Sequence, residues 1–545
     1  MTGINPFLLL TLAVALSMLV IPVLSRLAPR LGLLDQPDVR KVHAVPVPRV
    51  GGWGITIGSV APLLLSFTLG PLVQAYVLGV AILFVFGVWD DARELGHWTK
   101  FVGQILAVTV VVLYGDLYVA RLPFFDGDVL GPVAGKLFTL FAMIGVINAI
   151  NHSDGLDGLA AGESLLTLIA VAVLGYVLGD PLAVGVALAT IGGILGFLRY
   201  NSHPARVFMG DAGSQVLGFT VGFLAVYLTQ VVHTALSAAL PALLLGLPIA
   251  DIIVVLYLRI RSGGSWFRAT RNHVHHRLLA LGFDHHESVI IIYSIQAALV
   301  ICGVVMRYEA DWSVMAVYLG VLTALFAGLM CAEAYGWRVR GSATSSSRTE
   351  SLLAKLSQSS VVRRVPLSVI YVAVPTLMLF GSLWVAEVPR DFAAAAAVLA
   401  AVVVAEMLRS RATRSTIVRA AIYAAAILSS YLLIVYPRSG DSPVRFVTVV
   451  VVITLAIAIA AYVRFATRQE FSTTPTDYLV VFGMLALMAF GVVDTSSRAV
   501  VEFIAFSTVM LYGCEVVMGR DAGRWPMLHL STLATLTILA FRGAL

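Results

Sequence analysis

Two neighbouring aspartates, Asp90 and Asp91, mark the point where an apolar stretch from Val77 to Trp89 ends. A charge carried toward hydrocarbon costs about 2.5 to 3.5 kcal/mol even on the mildest insertion scale, so a carboxylate pair at this edge indicates chemistry. Two carboxylates this close either share a proton or share a cation. Together with Lys100 and Gln104 downstream, this first motif is predicted to bring two carboxylates and a cation to the start of a helix.

A second polar motif runs from Asn148 to Gly158 and contains four side chains that suit a phosphate or metal site. Asn148, Asn151 and Asp154 recur every third residue, which predicts one face of a helix. Asp157 follows between glycines, whose missing side chains let the backbone approach a ligand closely. The motif therefore predicts a helix that ends in a polar turn beside a ligand.

The third motif, from Phe208 to Ser214, places Asp211 between glycines at the mouth of an apolar stretch. A carboxylate in this position suits a hard cation, and the helix N-terminus beside it favours an anion. A glycine–aspartate pattern alone is a weak signal, because glycines also serve helix packing in membranes.

The fourth motif concentrates cationic and donor groups in a short loop, namely Arg271, His273, His275 and His276. Such groups suit phosphate oxygens. The histidines would also suit zinc, but the carboxylates and asparagines of the other motifs favour Mg²⁺ over a closed tetrahedral site.

The elements that must position these motifs are membrane helices. Hydrophobic residues make up 59% of the chain and charged residues only 12%, and the mean hydropathy is +0.93. This composition excludes a soluble protein and predicts an all-α polytopic membrane protein. The net charge of +6 is better explained by basic cytoplasmic loops than by nucleic-acid binding.

Apolar windows of about 17 to 22 residues, the length that crosses a hydrocarbon core, predict about eleven spans before residue 336. They begin near Pro6, Trp53, Leu72, Phe101, Val133, Ser164, Pro181, Ser214, Ala235, Val289 and Trp312. With the N-terminus outside, the inside loops hold most of the Lys and Arg residues, and Arg121 and Arg307 are outside exceptions. The positive-inside rule then places all four motifs on the cytoplasmic face. Their shared side argues against reading Asp90 and Asp91 as a plain span boundary.

The C-terminal part is predicted to be a separate membrane domain. Residues 337–365 form a Ser- and Arg-rich cytoplasmic linker between a catalytic domain, 1–336, and an accessory transmembrane domain, 366–545. About seven further spans begin near Pro366, Asp391, Thr416, Phe446, Tyr478, Ala499 and Met527. The isolated Glu387, Glu406, Glu502 and Glu515 are interpreted as span-end or interhelical contacts.

The four motifs, together with Leu31–Asp35, Arg40–His43 and Pro48–Gly52, resemble the polyprenyl-phosphate N-acetylhexosamine-1-phosphate transferase family. The resemblance spans roughly residues 5–335, keeps every motif in family order and does not cover the C-terminal part. One departure lies before the histidines, where Trp266, Ala269 and Thr270 stand in place of the Pro, Pro and Asp common in relatives.

The resemblance implies a role for each matching residue. Asp211 would bind Mg²⁺, or Mn²⁺, with help from Asn151, and Asp90, Asp91, Asp154 and Asp157 would shape the site where two phosphates meet. Lys100 and the group His273, His275 and His276 would hold phosphate or pyrophosphate, while Asn201 and Phe208 would lie near the uridine. Asn148 and Arg271 are added as substrate-binding residues because of their places in the second and fourth motifs.

The implied reaction moves a sugar 1-phosphate from a UDP-N-acetylhexosamine to polyprenyl (undecaprenyl) phosphate and releases UMP. The protein would lie in the bilayer of the plasma (inner) membrane with its active site on the cytoplasmic face. It would bind no nucleic acid, and a homodimer is one possible assembly. The loop lacks the Pro-Leu-His-His-His-like run of the branch that uses UDP-N-acetylmuramoyl-pentapeptide, so UDP-N-acetylglucosamine is the first expectation. That pentapeptide donor, another UDP-sugar, a transporter and an inactive scaffold stay as alternatives.

Two mechanisms are open for such a reaction. A phosphate monoester has its second pKa near about 6 and is largely ionised at pH 7. It needs little help from a base, so direct attack with Asp90 positioning the acceptor or taking a residual proton is favoured over a covalent aspartyl intermediate.

Overall fold

The computed structural model describes residues 6–37, 45–68, 70–125, 127, 129–261, 272–339, 360–408, 416–436, 442–465, 498–520 and 526–544. These residues are almost all helical, with one short two-stranded ribbon. They divide into two compact units, one ending before residue 340 and the other starting at residue 360. The prediction of an all-α polytopic membrane protein is confirmed.

The first unit is a bundle in which ten of the eleven predicted apolar windows each correspond to one helix. In chain order the helices are α1 Pro6–Leu31, α2 Gly51–Ser66, α3 Pro71–Arg93, α4 His97–Leu113, α5 Pro132–Ser153, α6 Leu159–Val177, α7 Pro181–Asn201, α8 Gly210–Tyr227, α9 Leu240–Leu244, α10 Gly246–Arg261, α11 Val274–Ala280, α12 His285–Val305 and α13 Asp311–Ala334. Among the described residues of the whole chain, 11 helices are long and apolar enough to cross a membrane. Eight of them, α1, α3, α5, α6, α7, α8, α12 and α13, belong to this unit, whereas α2, α4 and α10 are shorter.

The window predicted to begin near Ala235 is not one continuous span, which corrects that expectation. It contains the five-residue α9 and the sixteen-residue α10, with Leu245 between them. Pro248 is the third residue of α10, where its missing N–H interrupts no hydrogen bond of that helix. Proline near the start of a helix favours a new helix over the continuation of an old one.

The first motif ends a helix and does not begin one, contrary to the expectation from the sequence. Asp90 and Asp91 lie in the last turn of α3, and Glu94 closes that helix in the left-handed region at φ 47°. Lys100 then lies in the first turn of α4. The short polar connection between the two helices folds the cation back toward the carboxylates.

The second motif also differs from the prediction of one helical face. Asn148 and Asn151 lie on α5, but this helix ends at Ser153, and Asp154 leaves it with φ −76° and ψ 54°. The turn that follows reaches Gly158 at φ 79°, a left-handed conformation that glycine adopts without steric cost. Asp154 is therefore directed by the turn and not by the helix.

The ribbon ties the starts of α2 and α8 together. Strands β1 (Leu34–Asp35) and β2 (Val47–Pro48) pair antiparallel, and the amide of Phe208 donates to the carbonyl of Pro48 at 2.8 Å. A Cβ atom built on Gly52 would lie 2.4 Å from the backbone nitrogen of Gly213. The two helices approach this closely only because glycine has no side chain.

The second unit contains the helices Ser360–Trp384, Arg390–Leu408, Thr416–Val435, Ser442–Phe465, Arg498–Arg520 and Pro526–Arg542. They match six of the seven predicted windows, and the window near Tyr478 lies outside the described residues. Two of the isolated glutamates make interhelical contacts, as interpreted: Glu502 with Arg445 at 2.6 Å and Glu515 with Arg419 at 3.8 Å. Most of the predicted linker also lies outside the described residues, and the first helix includes its last positions, 360–365.

Candidate active site

A lysine bridges two carboxylates at the polar ends of α3, α4 and α8. The ammonium of Lys100 lies 2.7 Å from Asp90 Oδ2 and 2.6 Å from Asp211 Oδ2. The other oxygen of Asp90 is buried and has no hydrogen-bond partner among the described residues. The carboxylates of Asp90 and Asp211 share one cation, and one Asp90 oxygen has no partner among the described residues. Such carboxylate oxygens are suitable ligands for a hard divalent ion.

Asn151 orients Asp211. Its side-chain nitrogen donates to Asp211 Oδ1 at 2.6 Å and to Ser214 Oγ at 2.7 Å. Both oxygens of Asp211 are thus held, one by α5 and one by α4. The structure supports Asn151 as a residue that positions the predicted metal ligand.

Asp91 caps α8. Its two carboxylate oxygens accept from the backbone amides of Asp211 at 2.9 Å and Ala212 at 3.1 Å. The first amides of a helix have no partner within that helix, and a carboxylate there also complements the helix dipole. Asp91 therefore fixes the position of Asp211 from another helix, and each of its oxygens accepts one backbone hydrogen bond.

Asp154 is exposed and lies in the turn directly after α5, the helix that carries Asn151. Partial burial raises the pKa of its carboxyl group, and the charges of Asp211 and Asp157 act in the same direction. Together they raise the pKa of Asp154 to about 7. Near neutral pH this side chain can therefore hold or release a proton.

His273 is anchored by a residue that the sequence reading missed. Asp251, on α10, accepts at one oxygen from His273 Nδ1 at 2.8 Å and at the other from the backbone amide of Val274 at 2.9 Å. The signal was available, because Asp251 is an acidic residue within an apolar segment, and such residues are usually functional. The ring of His152 stacks on His273 with centroids 5.5 Å apart, which brings the second and fourth motifs together.

His275 is neutral and supplies no positive charge. Burial first, and then the neighbouring His276, lower the pKa of His275 to about 3. A Cβ atom on Gly155 would lie 2.3 Å from His275 Nε2, so this ring lies directly against the turn that follows Asp154. The fourth motif is therefore less cationic than its composition suggested.

Asp157 joins two histidines that the sequence reading did not single out. His203 Nδ1 donates to Asp157 Oδ2 at 2.6 Å, and the backbone amide of Asp157 donates to His285 Nε2 at 3.1 Å. The ligand atoms of the three residues lie within 4.8 Å of one another, as in a metal site. However, the two imidazoles stack at 4.0 Å with 22° between their planes, so their in-plane lone pairs do not converge on one ion. Asp157 thus holds the polar turn to the loop before α8 and to the start of α12.

Asn201 and Phe208 have structural contacts where nucleoside contacts were expected. Asn201 is buried, accepts at Oδ1 from the amide of Gly158 at 2.7 Å and donates from Nδ2 to the carbonyl of Val207 at 2.8 Å. Phe208 is half-buried, and its carbonyl accepts from Gly51 at 2.9 Å. Asn201 shapes the loop, and the nucleoside role of both residues stays a prediction.

Asn148 lies one helical turn deeper than Asn151, in contact with Gln104. His276 is half-buried and packs on His275, with ring centroids 4.2 Å apart. Arg271 and the departures Trp266, Ala269 and Thr270 lie outside the described residues. The described parts of all four motifs therefore meet in one site, and the roles expected of the individual residues stay predictions.

Comparison with known proteins gives a consistent result. The family model described as glycosyl transferase family 4 matches residues 73–229, a range that includes Asp90, Lys100, Asn151 and Asp211. A probable undecaprenyl-phosphate N-acetylglucosaminyl 1-phosphate transferase of Bacillus subtilis is 36% identical over 300 residues, which are 54% of this chain and 83% of that protein.

Two further relatives act on similar lipids according to their names. A decaprenyl-phosphate N-acetylglucosaminephosphotransferase of Mycobacterium tuberculosis is 34% identical, over 49% of this chain and 74% of that protein. An undecaprenyl-phosphate alpha-N-acetylglucosaminyl 1-phosphate transferase of Escherichia coli is 30% identical, over 54% of this chain and 83% of that protein. Each relative is matched over most of its own length by about half of this chain.

Proposed function

Because the chain belongs to glycosyl transferase family 4, we propose that it transfers N-acetylglucosamine 1-phosphate from UDP-N-acetylglucosamine to a polyprenyl phosphate at the cytoplasmic face of the plasma membrane. The observation that carries the proposal is the Lys100 bridge between Asp90 and Asp211 at the polar ends of three apolar helices. A carrier would need a site near the bilayer midplane. The named relatives are N-acetylglucosaminyl 1-phosphate transferases, so neither transport nor the pentapeptide-transferase alternative is favoured.

The barrier to this reaction is repulsion between an anionic acceptor and an anionic donor. Lys100 offsets part of that repulsion, because its ammonium faces the carboxylates on one side and is partly open to solvent. Its exposed side can contact a phosphate oxygen. The neutral ring of His275, which lies against the polar turn at Gly155, supplies an uncharged hydrogen-bond group.

We propose Mg²⁺ as the cofactor, held by Asp211 with Asp90 beside it. The unpartnered Asp90 oxygen and the paired carboxylates fit a hard ion with oxygen ligands. When bound, such an ion neutralises charge that spreads over phosphate oxygens in the transition state. Asn151 and Asp91 keep Asp211 in place for that role.

We favour direct attack by the acceptor phosphate over a covalent aspartyl intermediate, because a phosphate monoester is already largely ionised at pH 7. Each oxygen of Asp91 accepts one backbone hydrogen bond, which gives Asp91 a role in holding the start of α8. Asp90 keeps one oxygen without a partner and can position the acceptor or take a residual proton. Asp154, with its pKa near neutrality, is a second group able to take that proton.

The decisive experiment is a donor panel with the purified full-length protein, undecaprenyl phosphate and Mg²⁺. We expect UMP and a lipid diphosphate sugar from UDP-N-acetylglucosamine, loss of turnover with a chelator and recovery with Mg²⁺ or Mn²⁺. The N-acetylgalactosamine epimer and UDP-N-acetylmuramoyl-pentapeptide complete the panel. Turnover with the pentapeptide donor and none with simple hexosamines would refute the proposal.

We also propose that the region after residue 365 is an accessory membrane domain for docking, assembly or lipid handling. Truncation within the linker near Ser346 is then expected to leave UMP release on excess substrates within about twofold of the full-length rate. The measurement needs a check of folding by melting in detergent. A truncated protein that is folded yet inert would show that the C-terminal part contributes to the site.

A further inference from the structure

A second polar layer lies one helical turn deeper than the site, on α4, α5 and α8, the helices that carry Lys100, Asn151 and Asp211. Its members are the side-chain amides of α4, α5 and α8, spaced from the site residues of their own helices as follows: Gln104 four residues after Lys100, Asn148 three before Asn151, and Gln215 four after Asp211. At 1.5 Å per residue these amides lie about 5 Å farther into the bundle. We call this set the amide layer.

The amides bind one another across the three helices. Gln104 Oε1 accepts from Asn148 Nδ2 at 2.8 Å, and Gln104 Nε2 donates to Gln215 Oε1 at 3.3 Å. The fractional exposure of Gln104 is 2% and that of Gln215 is 1%, so neither has access to bulk water. Asn148 also donates to the carbonyl of Ile144 at 2.8 Å.

We propose that the amide layer is a positioning device, which sets the axial register of α4, α5 and α8 and thereby the distances from Lys100 and Asn151 to Asp211. The inference rests on the proposed function of the charged cluster above it. Apolar side chains would pack these helices equally well but tolerate sliding, whereas amide pairs are directional. A single buried polar contact specifies register between helices in the same way, at some cost in stability.

The charged cluster has a need for such a device. Lys100 lies on α4, whereas Asp211 lies on α8 and Asp90 on α3. The ammonium of Lys100 lies 2.6 Å from Asp211 and 2.7 Å from Asp90. A displacement of about 1 Å between reacting groups costs about a hundredfold in rate when geometry controls the barrier. Buried amides one turn away restrict that displacement without contacting substrate.

The test compares Gln104→Leu, Gln215→Leu and the triple variant in which Gln104, Asn148 and Gln215 are all leucine, each in the full-length protein. In each single variant we expect a melting temperature below that of the wild type and kcat about tenfold lower, with KM for UDP-N-acetylglucosamine within about twofold. In the triple variant no amide stays unpaired, so the melting temperature should return toward the wild-type value. Its kcat should stay low, because the directional contacts are gone.

Gln296 provides a matched control, since it is a buried glutamine of α12 that bonds to Thr167 and Leu244 away from the site. Gln296→Leu should lower the melting temperature and leave kcat unchanged. The proposal is overturned if kcat recovers together with melting temperature in the triple variant, or if Gln296→Leu lowers kcat as much as Gln104→Leu.

A gentler variant keeps the proposal testable if the leucine variants do not fold. Gln215→Asn retains the amide but shortens it by one methylene, so kcat should fall while the fold persists, and an unchanged kcat would contradict the proposal. Failure of the proposed function would appear differently, as a wild-type protein that releases no UMP. The melting temperatures of the same variants would then still report whether the amides are coupled.

Discussion

Asp211→Asn is expected to reduce UMP release by about a thousandfold, the largest loss among single changes in this protein. The asparagine has nearly the shape of aspartate but no charge, and its amide group would face the ammonium of Lys100, which now lies 2.6 Å from Asp211 Oδ2. A loss of this size corresponds to about 4 kcal/mol of transition-state stabilisation. The measurement is kcat together with the Mg²⁺ concentration for half-maximal activity, which should rise.

Two comparisons make this result specific. Asp90→Asn should lose less, about tenfold, because Asp90 shares Lys100 but is not the residue assigned to hold the metal. Asp311→Asn changes a carboxylate in the same helical position, the first turn of α13, where it accepts from the amide of Phe124 at 2.9 Å, away from the site. Turnover of the Asp311 variant should stay near wild type. Near-normal turnover of Asp211→Asn would exclude Asp211 as the metal ligand.

Lys100→Met is expected to lower kcat/KM for the UDP-sugar by about a hundredfold. Methionine has a similar length and apolar stem, so packing at the start of α4 is preserved while the positive charge is lost. The donor phosphates then meet Asp90 and Asp211 without the ammonium between them. Two unpaired carboxylates should bind a divalent cation more tightly, so the Mg²⁺ concentration for half-maximal activity should fall or stay constant.

The direction of that metal effect separates two roles for Lys100. If Lys100 acts on the phosphates, Lys100→Met should lower kcat/KM for the UDP-sugar without raising the Mg²⁺ concentration for half-maximal activity. If Lys100→Met instead needs much more Mg²⁺ and regains full turnover with it, then Lys100 only organises the metal ligands. Lys136→Met is the matched control, because this lysine pairs with Asp116 at 2.8 Å at the opposite end of α5.

Local properties of the chain were sufficient to predict the protein class and the residues of the four motifs that meet in the site, whereas the eleven spans predicted for the first unit correspond to eight long helices and several shorter ones. The length of an apolar window and the charge of the loop after it can both be read directly from the sequence, without knowing how the helices pack. The prediction that four motifs share one side therefore needed no tertiary information. The same local reasoning failed where a helix boundary mattered, as at Asp154, which lies just beyond the end of α5.

The roles of individual residues depended on partners that are distant in sequence. Asp91 caps a helix that begins 119 residues later at Gly210, Asp157 is bound by His203 and contacts His285, and Asp251 anchors His273. Spacing along a sequence reveals neighbours on one helix, whereas these contacts arise from the packing of different helices. The tertiary structure alone decided which carboxylates bind backbone amides and which bind the ammonium of Lys100, because these partners are brought together only by the packing of different helices.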